Sequence, residues 1–188
     1  MKKNTKKIVG IAAGTAAVAS LSAYVTIKAL IDTALDREMP KVMEKADKRI
    51  SGEKSSDEFT NRMESASESL AVQPNETVEI IAHDGEKLVG HYFPCEKPER
   101  VIIAFHGWRS SWHRDFGMIS DFWYKNNCSV LYVEQRGQNN SSGEYMGFGL
   151  TERFDCLDWL NWEIERCGSD IPVYLAGVSM GATTVLMA

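Results

Sequence analysis

The sequence predicts an α/β domain, a mainly parallel sheet with helices on both faces, preceded by an N-terminal transmembrane helix. Three observations carry that expectation. Arg100–Phe105 and Cys128–Glu134 are short, continuous apolar runs, the signature of strands buried on both faces. Segments with helical spacing alternate with such runs, and that order implies parallel pairing with helices covering both faces. The first residues join a lysine cluster to a long uncharged stretch.

The basic residues 1–7 carry Lys2, Lys3, Lys6 and Lys7, and Ile8 to Ile27 then holds no charge. At about 1.5 Å per residue that run reaches about 30 Å, the thickness of a hydrocarbon core. Residues 8–31 are expected to form a transmembrane helix or signal anchor. Lysines ahead of it, with only Lys28 directly after the uncharged run, place the N-terminus inside the cell. The rest of this single-pass chain then lies outside the cytoplasm, tethered to the cell membrane. The competing reading is a cleaved signal peptide and a secreted product, with Ala17-Val18-Ala19 as the cleavage site. Apolar character that continues through Leu21, Tyr24, Val25 and Ile27 favours the anchor.

Residues 32–74 are charged in both signs and poor in aromatics, which reads as a spacer lifting the domain off the bilayer. Within it, Asp32 to Ile50 is expected as a solvated helix interrupted near Pro40. Ser51 to Asp57 is expected as a flexible break, and Glu58 to Val72 as a polar helix.

Residues 75–188 hold the domain, and about 110 residues suffice to bury a core. Thr77–Ala82 and Lys87–Phe93 flank His83-Asp84-Gly85-Glu86, a hairpin with an Asp-Gly turn. The Arg100–Phe105 strand runs into His106-Gly107-Trp108 and a polar loop to Arg114. Asp115 to Asn127 has helical spacing at Phe116, Ile119, Phe122 and Trp123. After the Cys128–Glu134 strand, Thr151 is the expected N-cap of a helix to Cys167, with Leu157, Leu160 and Ile164 on one side and Gly168 ending it. Ile171–Ala176 is the last expected strand and Ala182–Ala188 the last helix.

Between those two, Gly177-Val178-Ser179-Met180-Gly181 fits G-x-S-x-G, the nucleophile elbow. A serine hydroxyl attacks carbonyls well only when it is held proud of the backbone, near a base and oxyanion donors. A sharp strand-to-helix turn supplies the first condition. It brings strand and helix so close that the positions two before and two after the serine must be glycine, as Gly177 and Gly181 are.

With these motifs in order, residues from about 75 onward resemble the first half of an α/β-hydrolase. More narrowly they are similar to membrane-anchored bacterial hydrolases of the serine aminopeptidase-like and BEM46-like group. Asp84-Gly85 with Gly90-His91-Tyr92, His106-Gly107-Trp108, Arg136-Gly137 with Ser141 and Gly143, and the Ser179 elbow carry the likeness. Where that family usually has Asp-x-Arg-Gly-x-Gly-x-Ser-x-Gly, Glu134 replaces the aspartate and Asn139 the middle glycine. The resemblance implies Ser179 as nucleophile on an ester, thioester or amide, in a small-molecule or peptide substrate with an acyl group. It implies the Trp108 and Met180 N–H groups as oxyanion donors, and no metal or organic cofactor. It also places the acid and base on loops after the elbow. His106 then orders its loop and is not the base.

A net charge of −5 without a basic stripe argues against nucleic acid as a partner. The four cysteines show no pairing or zinc spacing. Cys156 and Cys167 on one helix stand about 16 Å apart, too far to bridge. Free thiols sit in tension with an oxidising exterior. No histidine or acid follows Ser179. The expectation is therefore the N-terminal portion of a membrane-anchored serine hydrolase, inactive on its own. The alternative is a non-catalytic, membrane-tethered interaction module.

Overall fold

Alternation of side chains along each strand builds the core of this protein in two halves, one on either face of a single five-stranded sheet. The structure, a computed structural model, describes residues 20–39, 41, 57–168 and 170–188. Helical residues 20–35 (α1) come first. Then follow α2 (Glu58–Ala71), β1 (Glu76–Ile81), β2 (Lys87–Phe93), β3 (Arg100–Phe105), α3 (Trp112–Lys125), β4 (Cys128–Glu134), α4 (Glu152–Cys167), β5 (Val173–Gly177) and α5 (Met180–Met187).

The strands lie in the order β1-β2-β4-β3-β5. β3 pairs in parallel with β4 and with β5, while the β1–β2 hairpin joins β4 antiparallel through β2. The sheet is thus mixed rather than mainly parallel. The reason is local: the turn at Gly85 (φ +94°) returns the chain at once, and only a crossover connection can make a parallel neighbour. Ile103, Phe105, Leu131 and Val133 face α4, where Cys156 and Trp159 close one half of the core. Their neighbours Ile102, Ala104, Val130 and Tyr132 face Trp112 and Phe116 of α3 and Leu70 of α2.

The expected spacer is corrected here. Its residues 58–71 form a helix that packs on the domain, because Leu70 is buried under the sheet and Gly117 leaves room for close approach. A Cβ on Gly117 would lie 2.7 Å from the Ala66 backbone carbon. The expected break at 51–57 falls, but for Asp57, outside the described residues, as does the stretch 42–50.

Residues 8–19 of the expected membrane span also lie outside the described residues. Among the described residues no helix is long and apolar enough to cross a membrane. The described part of the span, in α1, exposes Leu21, Tyr24, Val25, Ile27, Leu30 and Ile31.

Candidate active site

All three parallel strands end at one edge of the sheet, and the loops leaving that edge converge on Ser179. β5 ends at Gly177, and the chain turns through Ser179 at φ 51° and ψ −113° before α5 begins at Met180. A non-glycine residue in such a conformation stores roughly 1–3 kcal/mol of strain, which the surroundings must hold. They do so by main-chain bonds: Val178 N–H donates to Phe105 O (3.0 Å) and Gly181 N–H to Val178 O (2.8 Å). Ser179 O accepts the N–H groups of Ala182 (3.0 Å) and Thr183 (3.2 Å). The turn is tight enough that a Cβ on Gly177 would strike the Gly181 main chain, and one on Gly181 the Phe105 carbonyl. The Ser179 side chain is left exposed.

The His106-Gly107-Trp108 loop leaves β3 beside this turn. A Cβ on Gly107 would stand 3.4 Å from the Ser179 Cβ, so the loop passes at van der Waals distance. Asp115 of α3 fixes it, accepting the Gly107 N–H (2.6 Å) on one oxygen and the Ser110 hydroxyl (2.6 Å) on the other. Gln138 accepts the Arg109 N–H (2.6 Å). Among the described residues, neither the Trp108 nor the Met180 N–H has a hydrogen-bond acceptor.

His106 is fully buried and its ring is committed to holding the loop. Nε2 accepts the Gln135 N–H (3.2 Å), so the proton sits on Nδ1 and is given to Gly107 O (2.8 Å). Gln135 bonds the His106 carbonyl in turn, and its own carbonyl accepts Thr184 Oγ1 (2.7 Å). One buried chain of polar groups therefore ties the ends of β3 and β4 to the elbow helix. Burial pushes the His106 imidazole below its ordinary value of 6.5. The unfolded chain then binds a proton that the folded chain refuses, so this contribution is complete above pH 6.5 and is lost as pH falls below it. Thermal melts should show the midpoint falling between about pH 7 and 5, with a shallower slope in His106→Gln. His113, also lowered by burial, leaves a residual slope. An unchanged slope in the variant would contradict this account.

The other histidines are engaged elsewhere. His83 pairs with Asp158 (3.1 Å), His91 with Glu134 (2.8 Å) and Asn75 (3.2 Å), and His113 with Ser67 (2.9 Å) and Ser111 (3.0 Å). Among the described residues none hydrogen-bonds Ser179. His83, Asp155 and Asp158 bring one possible metal-ligand atom each within 4.8 Å of one another. Asp155, however, gives both carboxylate oxygens to Arg136, so its charge is already met by a cation.

The loop after β4 carries both departures from the resembled pattern, and each has its own local partners or conformation. Asn139 stands at φ 51°, a left-handed conformation that asparagine tolerates better than most residues. Glu134 accepts the Asn140 main-chain N–H (2.6 Å) and side chain (3.0 Å) as well as His91. Thr151 occupies the expected N-cap position of α4 but makes no side-chain cap bond. Glu152, the first helical residue, holds the loop ahead of the helix, its carboxylate accepting the N–H groups of Gly147 (2.5 Å) and Gly149 (2.8 Å).

The end of α1 docks at the same edge, which no sequence reading anticipated. Trp108 Nε1 donates to Ala34 O (2.9 Å). Arg109 reaches the carbonyls of Thr33 (3.2 Å), Asp36 (2.7 Å) and Arg37 (3.2 Å). Arg37 in turn grips the carbonyls of Ser141 (2.6 Å) and Asn139 (2.7 Å). Main-chain bonds from Arg37 N–H to Glu144 O (2.8 Å) and from Met146 N–H to Leu35 O (2.7 Å) complete a strap over residues 33–38. Asp115, Gln135, Gln138 and Thr184 were likewise missed, since scattered polar residues in loops and first helical turns have no characteristic spacing.

No protein-family model and no curated protein matches this sequence. Solved structures do. An esterase from Pyrococcus furiosus aligns with a TM-score of 0.54 at 26% identity, over 62% of this chain and 46% of its own. A serine hydrolase homologue from Coxiella burnetii aligns at 21% identity and TM-score 0.53, over 62% of this chain and 58% of its own. A lidless serine hydrolase from Xanthomonas campestris gives 18% and 0.53, over 61% and 55%. The fold is that of the α/β-hydrolases. The chain spans about half the length of the solved structures it matches. Here β4, β3 and β5 form the parallel part of the sheet, with β5 outermost, and Ser179 stands at the strand-to-helix elbow after β5.

Proposed function

We propose that this chain carries the nucleophile and oxyanion site of a membrane-anchored serine hydrolase acting on an ester, thioester or amide bond. The observation that carries the reading is Ser179 itself: exposed, at positive φ, and beside a loop whose Trp108 N–H, like that of Met180, is uncommitted. In this mechanism Ser179 Oγ attacks the carbonyl carbon, and the Trp108 and Met180 N–H groups receive the developing oxyanion. Each such donor is worth about 3 kcal/mol in comparable sites. His106, locked as a donor to Gly107 O, shapes the hole and does not act as base. The other three histidines are held by their own partners, so the reading assigns the general base to none of the four.

The uncharged run Ile8–Ile27 and the exposed apolar side chains of α1 support anchoring through residues 8–31, with the hydrolase domain outside the cytoplasm. The finer likeness to serine aminopeptidase-like and BEM46-like hydrolases belongs to the same proposal and rests on the motifs alone.

Without a base the serine should react slowly, and an external base should restore it. The 188 residues are expected to take up fluorophosphonate on Ser179 only weakly in buffer, and markedly faster when imidazole is added, with the adduct located by mass spectrometry. Ser179→Ala should abolish it. Rapid labelling of Ser179 that imidazole does not accelerate would overturn the reading that none of the four histidines is the base. No labelling even with imidazole would remove Ser179 as the nucleophile.

A further inference from the structure

We infer that the sheet edge bearing Ser179 faces the lipid bilayer, with the loop 144–150 as its apolar contact. The inference rests on the anchoring proposed above and goes beyond it. An anchor by itself leaves a domain free to turn on its tether. Here the tether is not free, because the strap clamps residues 33–38 to the loops that follow β3 and β4. Those loops lie at the C-terminal ends of the parallel strands, the edge from which Ser179 emerges. The exposed apolar side chains of α1 run as far as Ile31, and at about 1.5 Å per residue that point lies only about 5 Å along the axis from Ala34.

The surface beside the strap matches a bilayer. Tyr145 bridges Asp36, and Tyr145, Phe148 and Leu150 are all exposed, Leu150 as much as Leu30 of α1 (63% against 65%). Phe148 is held out at φ 51°, with its ring 6.5 Å from that of Trp108. The patch continues onto the elbow helix, since a Cβ on Gly149 would stand 3.2 Å from Met187 Sδ. Beside it, Arg37 and Arg109 are spent on main-chain carbonyls and Lys28 is paired with Asp32, while the one charged residue of the loop itself, the exposed Glu144, stands at its first position, ahead of the apolar stretch from Tyr145. Apolar aromatic and aliphatic side chains continuous with an anchoring helix are what an interfacial contact requires.

The test places a nitrobenzoxadiazole label on single added cysteines of the full chain, in a Cys95→Ser, Cys167→Ser background. Cys128 and Cys156 are buried and stay out of reach. The protein is inserted in vesicles of phosphatidylcholine and phosphatidylglycerol containing a headgroup nitroxide lipid. Leu30→Cys reports the anchor and Leu150→Cys the rim. Tyr124→Cys reports the far end of α3, near the opposite sheet edge, where Arg100 bonds the Asn126 carbonyl. The expected result is roughly twofold quenching at Leu30 and Leu150 and none at Tyr124. Adding Arg37→Ala and Arg109→Gln should bring Leu150 towards the Tyr124 level while Leu30 stays quenched. Quenching at Leu30 without quenching at Leu150 overturns this inference and leaves the anchor standing. No quenching at Leu30 overturns both. Persistent quenching at Leu150 after the strap is cut overturns the clamp as its cause.

Discussion

Gly181→Ala is expected to cost this domain about 3–5 kcal/mol, enough to unfold much of it, although it adds one methyl group. The added Cβ would overlap the Phe105 carbonyl and come within 2.8 Å of the His106 carbonyl oxygen. Neither atom has room to give. Phe105 is buried in β3, between β4 and β5, and its carbonyl already accepts the Val178 N–H that closes the elbow. Relief would require α5 to lift from β3, breaking the Thr184–Gln135–His106 chain of buried bonds. Gly85→Ala is the natural comparison, since its Cβ meets nothing within 4 Å and only the φ of +94° resists it. That should cost about 1 kcal/mol. Urea midpoints of the two variants would separate the effects, and a Gly181→Ala loss no larger than that of Gly85→Ala would show that the elbow is looser than described.

Arg136→Met should be nearly as damaging, by a different route. The guanidinium gives Nε to Asp155 (2.7 Å), one terminal nitrogen to Asp84 (2.6 Å) and the other to both. Asp155 is only 3% exposed, so removing Arg136 strands a carboxylate away from water at a cost of about 3–5 kcal/mol. Burial already pushes the Asp155 carboxyl up, against the opposing pull of the arginine. Asp84, at the hairpin turn, is held down to about 2 by the same guanidinium. Its contribution in the wild type is complete above its ordinary value of 3.8 and is lost as pH falls from there towards 2. In the variant, acid instead neutralises the stranded Asp155. The stability gap between the two proteins should therefore narrow on acidification. A double change, Arg136→Met with Asp155→Leu, should recover much of the loss at neutral pH. A gap that widened in acid, or no recovery in the double variant, would contradict the assignment.

What the sequence reveals depends on how each element is buried. β3 and β4 start and end where expected, because burial on both faces writes an uninterrupted apolar run. β5 is displaced, spanning Val173–Gly177 rather than Ile171–Ala176. Pro172 has no N–H to give a ladder, whereas Gly177 still pairs with Phe105. α3 begins at Trp112, not Asp115, since Trp112 already turns inward to stack on His91 at 4.5 Å. The elbow was legible because its glycines answer a steric demand that nothing else meets. The packing of α2 was not, because its approach to α3 runs through Ala66, Ser67 and Gly117, and small residues in contact leave no hydrophobic period. Nor was the network through Gln135 and Thr184, whose polar side chains read as surface until the fold buries them.

The strap has a consequence of its own. Trp108 and Arg109 hold it by its main-chain carbonyls, at Thr33, Ala34, Asp36 and Arg37, not by the side chains those residues carry. Apart from Arg37, whose guanidinium reaches back into the loop, and Asp36, whose carboxylate accepts the Glu38 N–H (3.1 Å), its lettering is free to drift while its spacing is not. One residue inserted or lost before Arg37 would rotate every carbonyl by about 100° and leave the two side chains grasping at the wrong face of the turn. Between helix and domain, the chain is kept by count rather than by composition.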